Sequence, residues 1–185
     1  MKIGITGGIG SGKSYVCKLL AARGIGVYDC DTAAKQLIRT SADIRRQLTE
    51  LIGPDTYEGD QLNKSVVARF LLTSEDNAQA IDRIVHPAVF RDFAESSYQW
   101  IESAIMYESG IYRLVDKVVV VTAPDEVRIR RVMLRDGITR EKVLEWMQRQ
   151  WSQVKVRQRA DYEIVNDGVA DVELQLETIL NEISK

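Results

Sequence analysis

The stretch GITGGIGSGKSYV, Gly4 to Val16, decides how the rest of the chain is read. Ordering a glycine costs more backbone entropy than ordering any other residue, so a run this rich in glycine is expected where something must lie against the backbone. Gly7, Gly12, Lys13 and Ser14 match the spacing G-x-x-x-x-G-K-[ST]. The flanks supply the context that motif needs. KIGIT (Lys2–Thr6) reads as a short strand before it, and KSYVCKLLAARG as a helix behind it, with Gly24 placed as terminator. In such a loop the N–H groups from Gly8 to Ser14 converge on one point at the positive end of the helix dipole. A nucleoside triphosphate fits there. Lys13 reaches its outer phosphates as a point charge, and the Ser14 hydroxyl is placed to take a Mg²⁺ ion bridging β and γ oxygens.

Composition bounds the remainder. At 185 residues the chain suits one domain, or one domain with a small insertion. A net charge of −2 leaves no global basic field for nucleic acid or an anionic membrane, so an anion site must be local. No apolar run approaches the length of about eighteen residues needed to span a bilayer. Cys17 and Cys30 have no metal-ligand spacing and are expected as reduced, buried thiols in a cytoplasmic protein.

The strand–loop–helix order continues. GVYD reads as a second strand and DTAAKQLIRT as a helix that its first residue, Asp31, can cap. From Thr40 to Tyr98 the pattern changes to polar helices, ADIRRQLTELI, KSVVARFLL and DNAQAIDRIVH, broken by an acidic loop from Gly53 to Asp60 and by Pro87. This reads as a helical insertion. A weak strand signal at WIESAIM precedes KVVVVTA (Lys117–Ala123), whose β-branched run predicts a central strand buried on both faces. PDEVRIRRVMLRDG and TREKVLEWMQRQ follow as helices around Gly137, then the strand DYEIV and an amphipathic helix started by Asp171. The fold class is α/β.

Two features bear on chemistry. Asp29 and Asp31 lie at the carboxyl end of the second strand, where open α/β sheets build their sites, and being two apart they point to one side of an extended chain. A carboxylate there can accept a proton from an acceptor hydroxyl; Asp31 capping the next helix accounts for it equally well. From Arg128 to Arg159 eight arginines and two lysines face only Asp136, Glu141 and Glu145. That excess suits a segment folding over phosphates, and also a solvated helix face laced with i,i+4 pairs. Arg135 and Arg140, flanking Gly137, stand out.

In this order and spacing TGGIGSGKS, GIGVYDCD, VHP, YESG, VVVVTAP, RRVMLRDGITRE and RADYEIVNDG resemble the dephospho-CoA kinase family across nearly the whole chain, more than adenylate or shikimate kinases. The resemblance implies a P-loop NTPase-type parallel sheet flanked by helices over residues 1–60 and 98–185, a helical lid over about 133–158, and a helical CoA-binding insertion over 61–97. It implies transfer of the ATP γ-phosphoryl group to the ribose 3′-hydroxyl of dephospho-CoA, with Mg²⁺, by a monomer or small homo-oligomer. Carried over residue by residue, the acceptor-side base falls on Asp31 with Asp29 beside it, and Gly8, Ile9, Gly10, Ser11, Gly12, Lys13, Ser14 and Tyr15 form the ATP loop. Arg135 lies near adenine or phosphates, Arg140 near the phosphates, and Asn166 at the base. Lys64, Phe70, His86 and Glu108 fall on the acceptor side. Taken alone, Phe70 also suits a core position, His86 a helix end before Pro87, and Asn166 a plain turn.

The sequence departs from that pattern at Ala104, where a proline is usual; at Trp146, where an arginine is common and Arg149 is the nearest substitute; and at Tyr15, which replaces a small hydroxyl residue. Another metabolite kinase would keep the same loop and differ in the insertion. A GTP-dependent switch is ranked last because its N-K-x-D signature is missing: Asn63 and Lys64 are followed by Ser65 and Val66.

Overall fold

The computed structural model describes residues 1–74 and 76–184. The chain forms two compact units, Met1–Tyr28 with Tyr98–Lys185, and Asp29–Ser97. The sequence reading placed the first junction at 60/61 instead; here the helices after Asp29 belong to the second unit.

The first unit carries a five-stranded sheet of β1 (Ile3–Thr6), β2 (Val27–Asp29), β5 (Trp100–Glu102), β6 (Lys117–Thr122) and β7 (Tyr162–Val165) in the order β2-β5-β1-β6-β7. The pairs β1/β5, β1/β6 and β6/β7 are parallel. β1 is therefore in the middle, and the glycine-rich loop leaves from its carboxyl end, where parallel sheets open their binding crevices. β6 is interior, and Val118 to Thr122 are all buried, as its unbroken β-branched run requires. On one face Ile3, Ile5, Val119, Val121 and Ile164 pack with Val16 and Leu20 of α1 (Lys13–Ala22) and with Leu176 and Ile179 of α9 (Val172–Ile183). The period-two spacing of the strand residues and the 3–4 spacing of the helical ones meet in one core. α9 begins at Asp171, whose side chain accepts the Leu174 N–H, and α1 ends at Gly24, φ +76.

The second unit contains α2 (Cys30–Thr40), α3 (Ala42–Ile52), the two-residue strands β3 (Tyr57–Glu58) and β4 (Gln61–Leu62), α4 (Lys64–Thr73) and α5 (Asp76–Glu95). The stretch expected as a loop from Gly53 to Asp60 holds a short 3₁₀ turn and most of that hairpin. α5 runs straight through Pro87, contrary to the expected break with His86 at a helix end. A mid-helix proline costs about 3 kcal/mol, but Val85, Val89 and Phe93, one turn apart along the same stripe, are buried. Burying each such side chain contributes about 1.5–3 kcal/mol, and the tertiary gain outweighs the local break.

Three helices complete the first unit: α6 (Asp125–Asp136), α7 (Arg140–Gln148) and the short α8 (Gln153–Arg157), which the sequence pattern did not reveal. Gly137, φ +65, ends α6. Ile129, Val132 and Val143 bring α6 and α7 together, with Ile138, Trp146 and Met147 around them. Cys17 and Cys30 are thiols, half-buried where full burial was expected.

Candidate active site

Between β1 and α1 the backbone turns back on itself with Gly7, Gly10 and Gly12 at φ +150, +78 and +99, conformations open to glycine and strained for other residues. Three of its carbonyls are held by side chains from far along the chain. Ile9 O accepts from Arg128 Nε at 3.0 Å, and Ser11 O accepts from Asn166 Nδ2 at 2.9 Å. Arg131 Nη1 donates to Asn166 O at 2.9 Å, with the Ser11 and Gly10 carbonyls at 3.4 and 3.5 Å, and its Nη2 meets Asn166 Oδ1 at 3.3 Å. Carbonyls held by these donors fix the peptide planes of the loop, which begins a helix whose N-terminal end favours an anion. The brace leaves no room for side chains. A Cβ on Gly10 would stand 2.5 Å from the Arg128 carbonyl oxygen.

Arg128 is 4 % exposed. Burial draws its pKa down, and Asp125, at 3.0 Å, opposes that. A buried guanidinium paired with one carboxylate and a main-chain carbonyl is a fixed strut. Arg128, Arg131 and Asn166 therefore support the loop. Asn166 had been expected at the base or as a turn residue, and neither arginine had been singled out from the basic segment. The signal was helical phase: Arg128 and Arg131 share a face of α6 with the buried Val132.

Lys13 Nζ bonds the Gly7 carbonyl at 2.8 Å and lies 3.7 Å from Glu102 Oε1. Glu102 ends β5, and sequence reading missed it, although a carboxylate at the carboxyl end of a parallel strand is where such sites are built. Ser14 and Tyr15, on the first turn of α1, are exposed, whereas Ser11 is fully buried, its hydroxyl without a hydrogen-bond partner.

The arginines flanking Gly137 are exposed and paired. Arg135 binds Asp136 at 2.7 Å, and Arg140 binds Glu126 through two bonds, one of 2.8 Å. The pairing raises each arginine's pKa and lowers that of its carboxylate; exposed pairs of this kind are weak and screened by solvent, so a phosphate can displace them. Arg149 pairs with Glu145 one turn away on α7, while Trp146 is absorbed in the apolar α6/α7 cluster. Glu108 Oε1 accepts the Trp151 N–H at 2.8 Å.

In the second unit the capping role expected of Asp31 falls to its neighbour. The cap of α2 is Asp29: its Oδ1 accepts from Asp31 N at 2.9 Å and Thr32 N at 3.1 Å, and its Oδ2 from Thr32 Oγ1 at 2.8 Å. Asp31 is the second residue of α2 and exposed. The helix starts at Cys30, so the extended-chain geometry expected for the two aspartates does not apply. Lys64 opens α4 and is exposed. Phe70 lines a groove of about 310 Å³ with Ile52, Gly53, Pro54, Val66 and Arg69. His86 is stacked on Phe90 at 6.0 Å, within 3.6 Å of Asp82.

A parallel sheet whose middle strand feeds a braced glycine loop, with its lysine, into a helix defines a P-loop nucleotide-binding protein. A family model for dephospho-CoA kinase matches residues 1–171. The dephospho-CoA kinase of Bacteroides fragilis (strain YCH46) is 39 % identical over 175 residues, covering 91 % of this chain and 85 % of its own. That of Porphyromonas gingivalis is 41 % identical over 171 residues, covering 89 % and 85 %. A crystal structure from Thermus thermophilus superposes with a TM-score of 0.84 at 31 % identity, covering 100 % of this chain and 98 % of its own. The chain belongs to the dephospho-CoA kinase family.

Proposed function

We propose that the protein transfers the γ-phosphoryl group of ATP to the ribose 3′-hydroxyl of dephospho-CoA, giving CoA and ADP. Family membership together with the braced loop carries this reading. In phosphoryl transfer the protein positions reactants and neutralises charge. The loop from Gly8 to Ser14 grips the donor phosphates, with Tyr15 behind it. Lys13 leaves the Gly7 carbonyl for an incoming phosphate oxygen, and Arg140 and Arg135 exchange surface carboxylates for phosphates as α7 closes.

Asp31 orients the acceptor hydroxyl and takes its proton; support comes from Asp29 doing the capping, which leaves the Asp31 carboxylate exposed. Asp29, Lys64, Phe70, His86 and Glu108 are assigned to the acceptor side, with Phe70 contributing an apolar wall suited to a long, partly apolar substrate. Asn166 borders the base while holding Ser11.

Among the described residues no group of three or more His, Cys, Asp or Glu side chains could hold a metal ion. One hydroxyl, Ser14, and the carboxylate beside Lys13, Glu102, fit a Mg²⁺ ion that arrives with the nucleotide and keeps phosphate and water ligands. When bound, that ion neutralises charge developing on the transferred group. No helix among the described residues is long and apolar enough to cross a membrane, and we assign the enzyme to the cytoplasm.

The deciding experiment incubates the protein with Mg-ATP and a panel of acceptors, including dephospho-CoA, adenosine nucleotides and shikimate, and follows ADP release and the phosphorylated product. Conversion of dephospho-CoA to CoA well above the rest is expected. Preference for another acceptor, or hydrolysis indifferent to acceptor, overturns the assignment.

A further inference from the structure

Ile9 is tied to the α6–α8 segment by every part of itself. Its carbonyl accepts from Arg128 at 3.0 Å, its side chain packs against the Ile129, Val132 and Val143 cluster, and its N–H donates to Gln150 Oε1 at 2.9 Å. The first two fix the residue from outside the loop. The third is different in kind, because an amide of a phosphate loop does not need a protein partner; water or a phosphate oxygen would satisfy it equally.

Gln150 stands just beyond the end of α7, in a stretch held by the segment that follows β5. Its Nε2 lies 3.5 Å from the Ala104 carbonyl, and the neighbouring Trp151 N–H is bonded to Glu108. The carboxamide is thus aimed at the loop from a fixed base rather than from a free helix end.

We infer that Gln150 is a positioning residue for phosphoryl transfer, whose neutral carbonyl oxygen sets the Ile9 peptide at the end of the loop that faces the donor's terminal phosphoryl group. The inference rests on the reading of the loop as the ATP site. Gly12 is the N-cap of α1 and Lys13 and Ser14 its first residues, the end we assign to the inner phosphates; Ile9, on the β1 side of that cap, is assigned to the outermost group. The choice of side chain follows. A carboxylate would hold the same N–H but repel the γ-phosphate; an alanine would leave the peptide unfixed. A carboxamide holds it without charge.

The test compares Gln150→Glu, Gln150→Ala and Gln150→Asn with the unmodified enzyme by calorimetric titration with ATP and with ADP, thermal melting, and turnover of dephospho-CoA. Gln150→Glu keeps the acceptor, so its melting temperature should match that of the unmodified protein, while ATP affinity falls about tenfold or more. ADP affinity should fall only about twofold, and added salt should narrow the gap as screening weakens the repulsion. Gln150→Asn, whose oxygen is withdrawn by one methylene, and Gln150→Ala should lower turnover more than they raise the apparent KM for dephospho-CoA. If Gln150→Ala fails to fold, the Glu and Asn variants decide. Equal losses for ATP and ADP in Gln150→Glu, or none, overturn the inference. Should the unmodified protein bind ATP yet leave dephospho-CoA unconverted, the acceptor assignment fails while the ATP/ADP discrimination still tests Gln150.

Discussion

Asn166 Nδ2 donates to the Ser11 carbonyl at 2.9 Å, and the same nitrogen would stand 2.0 Å from a Cβ added at Gly12. The bond and the missing side chain are one requirement: the chain after β7 can press against the phosphate loop only where nothing projects from it.

Gly12→Ala is therefore expected to abolish measurable ATP binding. Two penalties combine there, φ +99 and a collision with Asn166, and the displaced loop loses the alignment of its amides. Gly24→Ala is the control, since φ is +76 but nothing lies within 4 Å; it should cost only about 1–2 kcal/mol and leave ATP affinity unchanged. Calorimetric titration and thermal melts of both variants check this, and similar ATP affinities for the two would refute the bracing role of Asn166.

Ser11→Ala should be neutral or stabilising, because a buried hydroxyl with no partner carries a desolvation penalty of about 1–3 kcal/mol that alanine lacks. The main-chain amide remains, so ATP affinity should stay within about twofold. A clear fall in melting temperature would mean that the hydroxyl has a bonding role in the folded protein.

Asp31→Asn keeps shape and exposure while removing the proposed base. Turnover should drop by roughly 10²- to 10⁴-fold with ATP affinity almost intact, measured by steady-state kinetics beside nucleotide titration. Because Asp29 and not Asp31 caps α2, the melting temperature should hardly move. Asp29→Ala should lower stability by about 1 kcal/mol. Undiminished turnover in Asp31→Asn would remove it from the mechanism.

Tyr107 offers a pH signature. Burial, with Asp161 nearby, pushes its phenol up to about 12, against the weaker opposing pull of Arg159. In the unfolded chain the group ionises near the ordinary tyrosine value of 10.0, so between these values the unfolded state loses a proton that the folded state keeps. The contribution to stability is full below pH 10 and declines as pH rises toward 12. Absorbance titration of the seven tyrosines should show one ionising late and together with unfolding, and Tyr107→Phe should remove this part of the alkaline loss. A Tyr107→Phe protein with the same alkaline midpoint would contradict it.

Much of this was written locally. The loop's glycines, Lys13 and Ser14, the β-branched run of β6, the cap at Asp171 and the stop at Gly24 are short-range patterns, and each appears where its residues imply. The resemblance of spaced motifs carried the family. One wrong expectation arose where a local rule met a tertiary gain, at Pro87 inside α5; the other was a matter of phase, because α2 starts at Cys30 and Asp29 takes the cap expected of Asp31.

What the sequence by itself determined is the β1–loop–α1 unit, because its strand, turn and helix are all encoded within the run that opens the chain. What only the tertiary structure decided is which distant side chains hold that unit in a binding shape. Arg128, Gln150 and Asn166 meet the loop across separations of 119, 141 and 155 residues. No periodicity spans such distances; the β1/β6/β7 pairing and the packing of α6 and α7 bring those polar groups to the loop.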